Sequence, residues 1–320
     1  MKVVITDFEY PNVDQEIKII TESGAELMPC HLKSEDEIIA AVKDADAVIV
    51  QYADITKNII DRMERCKVII RYGIGVNNID SDAATSKGIY VCNVPDYGVD
   101  EVSNHAISML MALIKKLPVI TKALRGGDWG YTSTVPLFRM AGSTLGLVGL
   151  GRIPSLVAKK MAGFDVRILA FDPYVTAEDA EKRGVRLVDF ETLCKESDFI
   201  SIHCPLTAST THMFDKNVFQ MMKKTAYLIN TSRGPVINEK DLIEALRTGE
   251  IAGAGLDVYE KEPISSDSEL LKMDNVIATP HSAWYSEEAI STLQRKVAEE
   301  VVNILGGGRP INCTNKALLK

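Results

Sequence analysis

Leu145-Gly146-Leu147-Val148-Gly149-Leu150-Gly151-Arg152-Ile153 is an apolar run that breaks into two closely spaced glycines, and an amphipathic helical pattern follows it. A buried strand, a glycine turn and a helix start, in that order, bring backbone N–H groups and the positive end of a helix dipole to one spot. Gly149 suits the tight turn, and Gly151 admits a close approach to a pyrophosphate. A dinucleotide fingerprint also needs an acid about 20 residues on, at the end of the next strand. Asp172 closes Ile168-Leu169-Ala170-Phe171-Asp172-Pro173 and meets that need. Its carboxylate suits ribose hydroxyls and repels a 2′-phosphate, and Pro173-Tyr174 bring no compensating arginine, so NAD is expected over NADP. Pro154 replaces the third glycine of the pattern. The first helical turn tolerates proline because that N–H has no intrahelical partner, and the amides of Arg152 and Ile153 stay available to phosphate.

Outward from this motif, apolar strands alternate with helical patterns. Downstream strands are predicted at 166–171, 199–203, 227–230, 255–258 and 276–278, with helices at 156–162, 218–222 and 239–247. Upstream lies a second series without a nucleotide motif: strands at 3–5, 27–28, 48–50, 68–70 and 90–92, and helices at 13–23 and 35–43. Such alternation predicts two parallel sheets with crossover helices, and the nearly unbroken apolar strands predict sheets covered on both faces. Residues 100–117 predict one long, multiply buried helix, and 125–136 a loop. A last long helix is expected over 286–305, ended by Gly306-Gly307-Gly308.

A length of 320 residues suits two domains. The net charge of −8 argues against nucleic acid or anionic lipid as a partner. None of the six cysteines forms a C-x-x-C pair or stands at zinc-ligand spacing with a histidine, so reduced thiols and no metal are expected. The N-terminus reads as a strand rather than a signal peptide, and no apolar run is long enough to span a bilayer; a cytoplasmic location is the expectation.

Three polar segments follow apolar strands: Asn230-Thr231-Ser232-Arg233-Gly234, Leu256-Asp257-Val258-Tyr259-Glu260-Lys261-Glu262-Pro263 and Thr279-Pro280-His281-Ser282-Ala283-Trp284. In an open parallel sheet, ligands bind beyond the carboxyl ends of the strands. Arg233 would grip a carboxylate and polarise the adjacent carbonyl. His281 would exchange a proton with the developing alkoxide, and Glu262 would orient the ring and raise its pKa. Singly, a loop arginine or a glutamate in E-K-E-P reads equally well as a surface charge. Their shared placement after three strands, downstream of a nucleotide motif, favours a site that moves a hydride to or from a small 2-keto or 2-hydroxy acid.

With these residues the chain resembles the D-isomer-specific 2-hydroxyacid dehydrogenases over nearly its whole length, through GLVGLGRI, NTSRG, GLDVYEKEP and TPHSAW. His281-Ser282-Ala283-Trp284-Tyr285-Ser286-Glu287 and the segment from Arg71 to Asp80 look closest to the C-terminal-binding-protein-like branch. The resemblance implies two Rossmann-like doubly wound domains. The NAD-binding domain (100–285) is inserted into a flavodoxin-like substrate-binding domain (1–99 and 286–320). A homodimer through the cofactor domain is also implied. Arg233, Glu262 and His281 match the family's catalytic trio. Asp257 matches the residue that holds the nicotinamide carboxamide. His203, Cys204, Pro205, Thr210 and Thr231 fall in cofactor-contacting segments. Arg71, Tyr72, Gly73, Ile74 and Gly75 match a loop whose amides form an anion nest for the substrate carboxylate. In the closer branch, Arg71 and Trp284 line the substrate pocket. Formate dehydrogenases of the superfamily have glutamine where Glu262 stands, so keto-acid chemistry is implied over formate oxidation.

Two other functions fit parts of the pattern. An NADH-sensing, corepressor-like binding protein would keep the same trio, and a methyltransferase would share the glycine loop and the acid. His31, His105, His203 and His212 are not clustered in sequence. His105 reads as a packing residue of its helix and His203 as a wall of the cofactor site. Trp129 reads as a dimer anchor or as packing.

Overall fold

Aliphatic runs form strands and the amphipathic stretches between them form helices across the residues that the computed structural model describes, 1–319. The first part of the chain gives β1 (Lys2–Ile5), α1 (Asp14–Glu22), β2 (Glu26–Pro29), α2 (Glu35–Val42), β3 (Ala47–Val50), α3 (Lys57–Arg62), β4 (Val68–Arg71), α4 (Ser81–Ser86) and β5 (Tyr90–Cys92). The middle gives α5 (Val99–Ile114), α6 (Leu117–Arg125), β6 (Thr144–Val148), α7 (Arg152–Met161), β7 (Arg167–Phe171), α8 (Ala177–Glu181), β8 (Arg186–Leu187) and α9 (Phe190–Glu196). It continues with β9 (Phe199–Ile202), α10 (Lys216–Met221), β10 (Tyr227–Asn230), α11 (Glu239–Thr248), β11 (Gly253–Leu256) and β12 (Val276–Ala278), and α12 (Glu287–Leu305) follows.

These elements divide into two units. One runs over Met1–Gly98 and resumes at Ser286; the other is Val99–Tyr285. The first holds a five-stranded parallel sheet in the order β2-β1-β3-β4-β5, the flavodoxin-like arrangement. The second holds a seven-stranded parallel sheet, β12-β11-β10-β9-β6-β7-β8. Counted from β6 this is the Rossmann order, and it reverses between β6 and β9, where such sheets bind ligands. Both sheets are doubly wound.

Side-chain alternation explains why the central strands of the larger sheet carry apolar residues on both faces. Leu228 packs on one face with Val148, Ile200 and Leu256. Its neighbour Ile229 packs on the other with Leu145, Leu147 and Met109 of α5. Among the described residues, no helix is long and apolar enough to cross a membrane, and no group of three or more His, Cys, Asp or Glu could hold a metal ion. All six cysteines are free thiols.

Two sequence expectations need correction. The helix expected over 100–117 stops at Ile114. Lys116 takes a left-handed φ of 49°, and α6 starts anew with Pro118 in its first turn. Proline has no N–H to continue the earlier helix and clashes with its preceding turn. The strand expected at 255–258 lies two residues earlier, because the glycines of Gly253-Ala254-Gly255 interrupt its apolar run.

Candidate active site

The glycine loop lies at the point where the strand order reverses. Gly149 follows β6 with φ of +94°, and a Cβ there would come within 3.2 Å of the His203 carbonyl group, just after β9. The fingerprint's first glycine is therefore required twice, for its left-handed backbone and for this close approach. Gly151 caps α7 without a side-chain hydrogen bond, and a Cβ on it would meet nothing within 4 Å among the described residues. Pro154 is buried in the first turn and α7 still begins at Arg152.

Asp172 organises this loop. One carboxylate oxygen accepts the Leu150 amide at 2.8 Å and the other accepts the Tyr174 amide at 2.8 Å. Arg183, in the turn after α8, donates to the Leu150 carbonyl and to Ser155 Oγ. A guanidinium therefore does stand at the glycine loop, although residues 173–174 supply none. No sequence pattern marks Arg183, because it reaches the loop through tertiary structure.

The far wall comes from β9 and β10. His203 pairs with Ser201 Oγ through Nε2 at 2.8 Å, and burial pushes its pKa down to about 3, so it stays neutral and suits a wall better than an acid. Burial also pushes the Cys204 thiol up to about 11. Thr210 folds its loop by donating to the Pro205 carbonyl at 2.7 Å and accepting the Thr207 amide at 2.8 Å. Thr231 Oγ1 is buried with no hydrogen-bond partner among the described residues. A buried hydroxyl left this way is costly unless a ligand satisfies it. With the open, uncapped helix start at Gly151, it shows that the residues present fit a dinucleotide.

Arg233, Glu262 and His281 follow β10, the neighbouring β11 and the edge strand β12. Asn230, fully buried, shapes the first turn: its amide donates to the Arg233 carbonyl and its oxygen accepts the Ser232 amide and hydroxyl. Gly234 then touches the next loop. A Cβ there would lie 1.8 Å from the Tyr259 carbonyl oxygen, so only glycine lets the arginine turn rest on the segment that carries Glu262. Glu262 Oε1 accepts the Tyr259 amide at 3.0 Å, and its Oε2 faces His281 Nδ1 at 2.6 Å. Burial alone would raise the Glu262 carboxyl. The hydrogen bond and charge of His281, the Tyr259 amide and the Arg233 guanidinium outweigh that and hold it below the usual carboxylate value. His281 has a left-handed φ of 52°, and its carbonyl accepts Trp284 Nε1–H at 3.0 Å. Asp257 is buried beneath this turn and binds the amides of Ser282 and Ala283.

The Arg71 segment belongs to the first unit. Arg71 donates from Nε to the Gln51 carbonyl at 3.2 Å. Tyr72 is 2% exposed; its hydroxyl donates to Glu16 Oε1 at 2.6 Å and its amide to the Val50 carbonyl. Both donors of Tyr72 are thus used inside the unit, which leaves the amides from Gly73 onward as the anion-nest candidates. Asn93 holds the Ile74 carbonyl at 2.6 Å.

A glycine loop that fits a dinucleotide and an imidazole–carboxylate pair thus stand at the carboxyl ends of one Rossmann sheet. Known proteins agree. The model of the D-isomer specific 2-hydroxyacid dehydrogenase NAD-binding domain matches residues 107–283. The D-3-phosphoglycerate dehydrogenase of Methanocaldococcus jannaschii is 40% identical over 317 residues, 98% of this chain and 59% of that protein. The chain thus spans about three-fifths of the length of that relative. The glyoxylate reductase of Korarchaeum cryptofilum is 40% identical over 293 residues, 90% of this chain and 88% of that protein. The NAD-complexed D-isomer-specific 2-hydroxyacid dehydrogenase of Lactobacillus delbrueckii ssp. bulgaricus superposes with a TM-score of 0.83 at 26% identity, over 98% of this chain and 100% of the other. The chain belongs to the D-isomer-specific 2-hydroxyacid dehydrogenase family, and its second unit carries the family's NAD-binding domain.

Proposed function

We propose that this protein reduces a small 2-keto acid to the D-2-hydroxy acid with NADH, or runs the reverse reaction. The observation that carries this reading is the 2.6 Å pairing of His281 Nδ1 with the Glu262 carboxylate, on a sheet that also holds the glycine loop and Asp172. When bound, NADH supplies the hydride. Gly149, Gly151 and the first amides of α7 (Arg152, Ile153) would hold its pyrophosphate, and Asp172 its adenosine ribose. Thr231 and the segment from His203 to Thr210 would line the rest, and Asp257 would meet the carboxamide.

The chain's own residues divide the remaining work. Arg233 binds the substrate carboxylate and polarises the carbonyl. His281 points Nδ1 at Glu262, which leaves Nε2 to give a proton to the developing alkoxide. The ionised Glu262 stabilises the imidazolium before transfer and orients the ring afterwards. The amides of Gly73, Ile74 and Gly75, with Arg71 and Trp284, are assigned to substrate recognition. Residues 1–99 with 286–320 are accordingly the proposed substrate-binding domain, and 100–285 the cofactor domain. A homodimer through the cofactor domain belongs to the same reading. Trp129 is 90% exposed, which disfavours a packing role within the chain, and Leu124, Tyr131 and Phe138 nearby are exposed as well.

Steady-state oxidation of NADH and NADPH with glyoxylate, hydroxypyruvate and longer 2-keto acids tests the reading. Turnover with at least one acid, faster with NADH, is the expected result. Tight NADH binding with no turnover of any of them would point instead to an NADH-sensing binding protein.

A further inference from the structure

We propose that His105 is a positioning residue for His281 and acts through Thr279 and Asp257. This inference rests on the role given to His281 above. His281 holds a backbone conformation that side chains rarely adopt, with φ of 52°. Such a residue keeps its place only when its surroundings over-determine it. Here the surroundings are largely Asp257. The His281 amide donates to the Asp257 carbonyl at 2.8 Å, and the next two amides, Ser282 and Ala283, donate to the two Asp257 carboxylate oxygens at 2.9 Å each. Asp257 is 1% exposed, so the orientation of its carboxylate sets the path of the turn from inside the protein.

A third donor fixes that orientation. The Thr279 hydroxyl donates to Asp257 Oδ1 at 2.5 Å. An ionised carboxylate has no proton to offer, so the threonine proton must point toward it. The Thr279 oxygen is then left as an acceptor, and His105 Nε2 stands 3.0 Å from it. Hydrogen-bond direction runs from His105 Nε2–H to Thr279, from Thr279 to Asp257, and ends where the Ser282 and Ala283 amides meet the same carboxylate. His105 Nε2 is also 3.8 Å from Asp257 Oδ1. His105 sits on α5, one turn before Met109, which packs into the sheet with Ile229. A rigid helix thereby braces, from behind, the carboxylate that shapes the turn carrying His281. His105 touches neither substrate nor cofactor in this scheme.

Two variants test it in the full-length protein. His105→Leu removes the donor, and His105→Gln keeps an N–H near the Nε2 position. His105→Leu should lower kcat about tenfold while KM for the 2-keto acid stays within about twofold, and His105→Gln should recover most of the loss. A second readout does not need activity: the imidazole 1H–15N signals of His281 should move in His105→Leu and return in His105→Gln. Unchanged kcat and unchanged His281 signals in His105→Leu would overturn the proposal. So would a His105→Gln variant as impaired as His105→Leu. If the wild type turns over no 2-keto acid, the keto-acid reading fails by itself, and the His281 signals still decide the role of His105.

Discussion

At the carboxyl ends of the five-stranded sheet, polar side chains are tied inward, whereas at the same ends of the seven-stranded sheet they are presented. Tyr72, just after β4, is buried with its hydroxyl on Glu16, and Arg71 is tethered to Gln51. His281 and Glu262, after β12 and β11, keep roughly a third of their side-chain surface open while bonding each other. Both sheets are parallel, doubly wound and apolar in their strands. Architecture therefore supplies positions, and the residues just past each strand decide whether a position holds structure or chemistry. In the first unit the anion-nest candidates are backbone amides, with the Arg71 side chain lying over Gly73. The second presents an imidazole and a carboxylate that meet at 2.6 Å.

Substitutions can break or sharpen that contrast. The largest effect should come from Gly234→Ala. Its Cβ would meet the Tyr259 carbonyl at 1.8 Å and force the arginine turn off the glutamate loop. A displacement of about 1 Å at a reacting centre costs on the order of 100-fold, so kcat/KM should fall by at least that factor with the circular dichroism unchanged. Full activity in Gly234→Ala would show that the contact is unimportant.

Next comes Glu262→Gln, with an expected loss of about 50-fold in kcat/KM at neutral pH. Because the Glu262 pKa is depressed, its support of His281 is complete above its ordinary value of 4.5 and is lost as pH falls through the lowered one. A loss of less than about twofold would separate Glu262 from His281.

A smaller effect is expected at the glycine loop. Asp172→Ala should weaken NADH binding about tenfold and shift preference toward NADPH, and the shift should shrink when Arg183→Ala is added. Unchanged cofactor preference would contradict the role given to Asp172.

The smallest effect belongs to the first unit. Burial raises the Glu16 carboxyl, against a weaker lowering by its bond from Tyr72. A raised folded pKa means that stability is highest below the ordinary value of 4.5 and declines as pH rises through the folded value. Glu16→Gln should therefore raise Tm by about 2 °C at pH 7 and by nothing near pH 4, with kcat unaltered. A lower Tm at pH 7 would mean that the ionised carboxylate is needed.

Much of this was legible in the sequence, and what was not has a physical reason. Runs such as Ala47–Val50 and Thr144–Val148 declare themselves because every side chain is buried. β11 hides behind two glycines, Gly255 yielding to Ile229 and to Met109 of α5 and Gly253 to the Asn275 carbonyl, contacts that no local pattern records. α6 escapes because none of its residues is buried, so the expected single helix carried no sign of the break beyond Pro118. Glu262 and His281 could be singled out because each closes a strand-end motif. His105 could not, since its partner Thr279 is 174 residues away and a helical histidine looks the same whether it packs or donates. Arg183 is hidden for the same reason.

The role of His281 as proton donor is tested most directly by His281→Ala, with kcat for the best 2-keto acid measured beside the Kd for NADH by fluorescence. Loss of at least about 100-fold in kcat with NADH affinity within about twofold of wild type is the expected result. A variant that keeps near-native kcat would remove the imidazole from the chemistry and, with it, the reason for the carboxylate at its side.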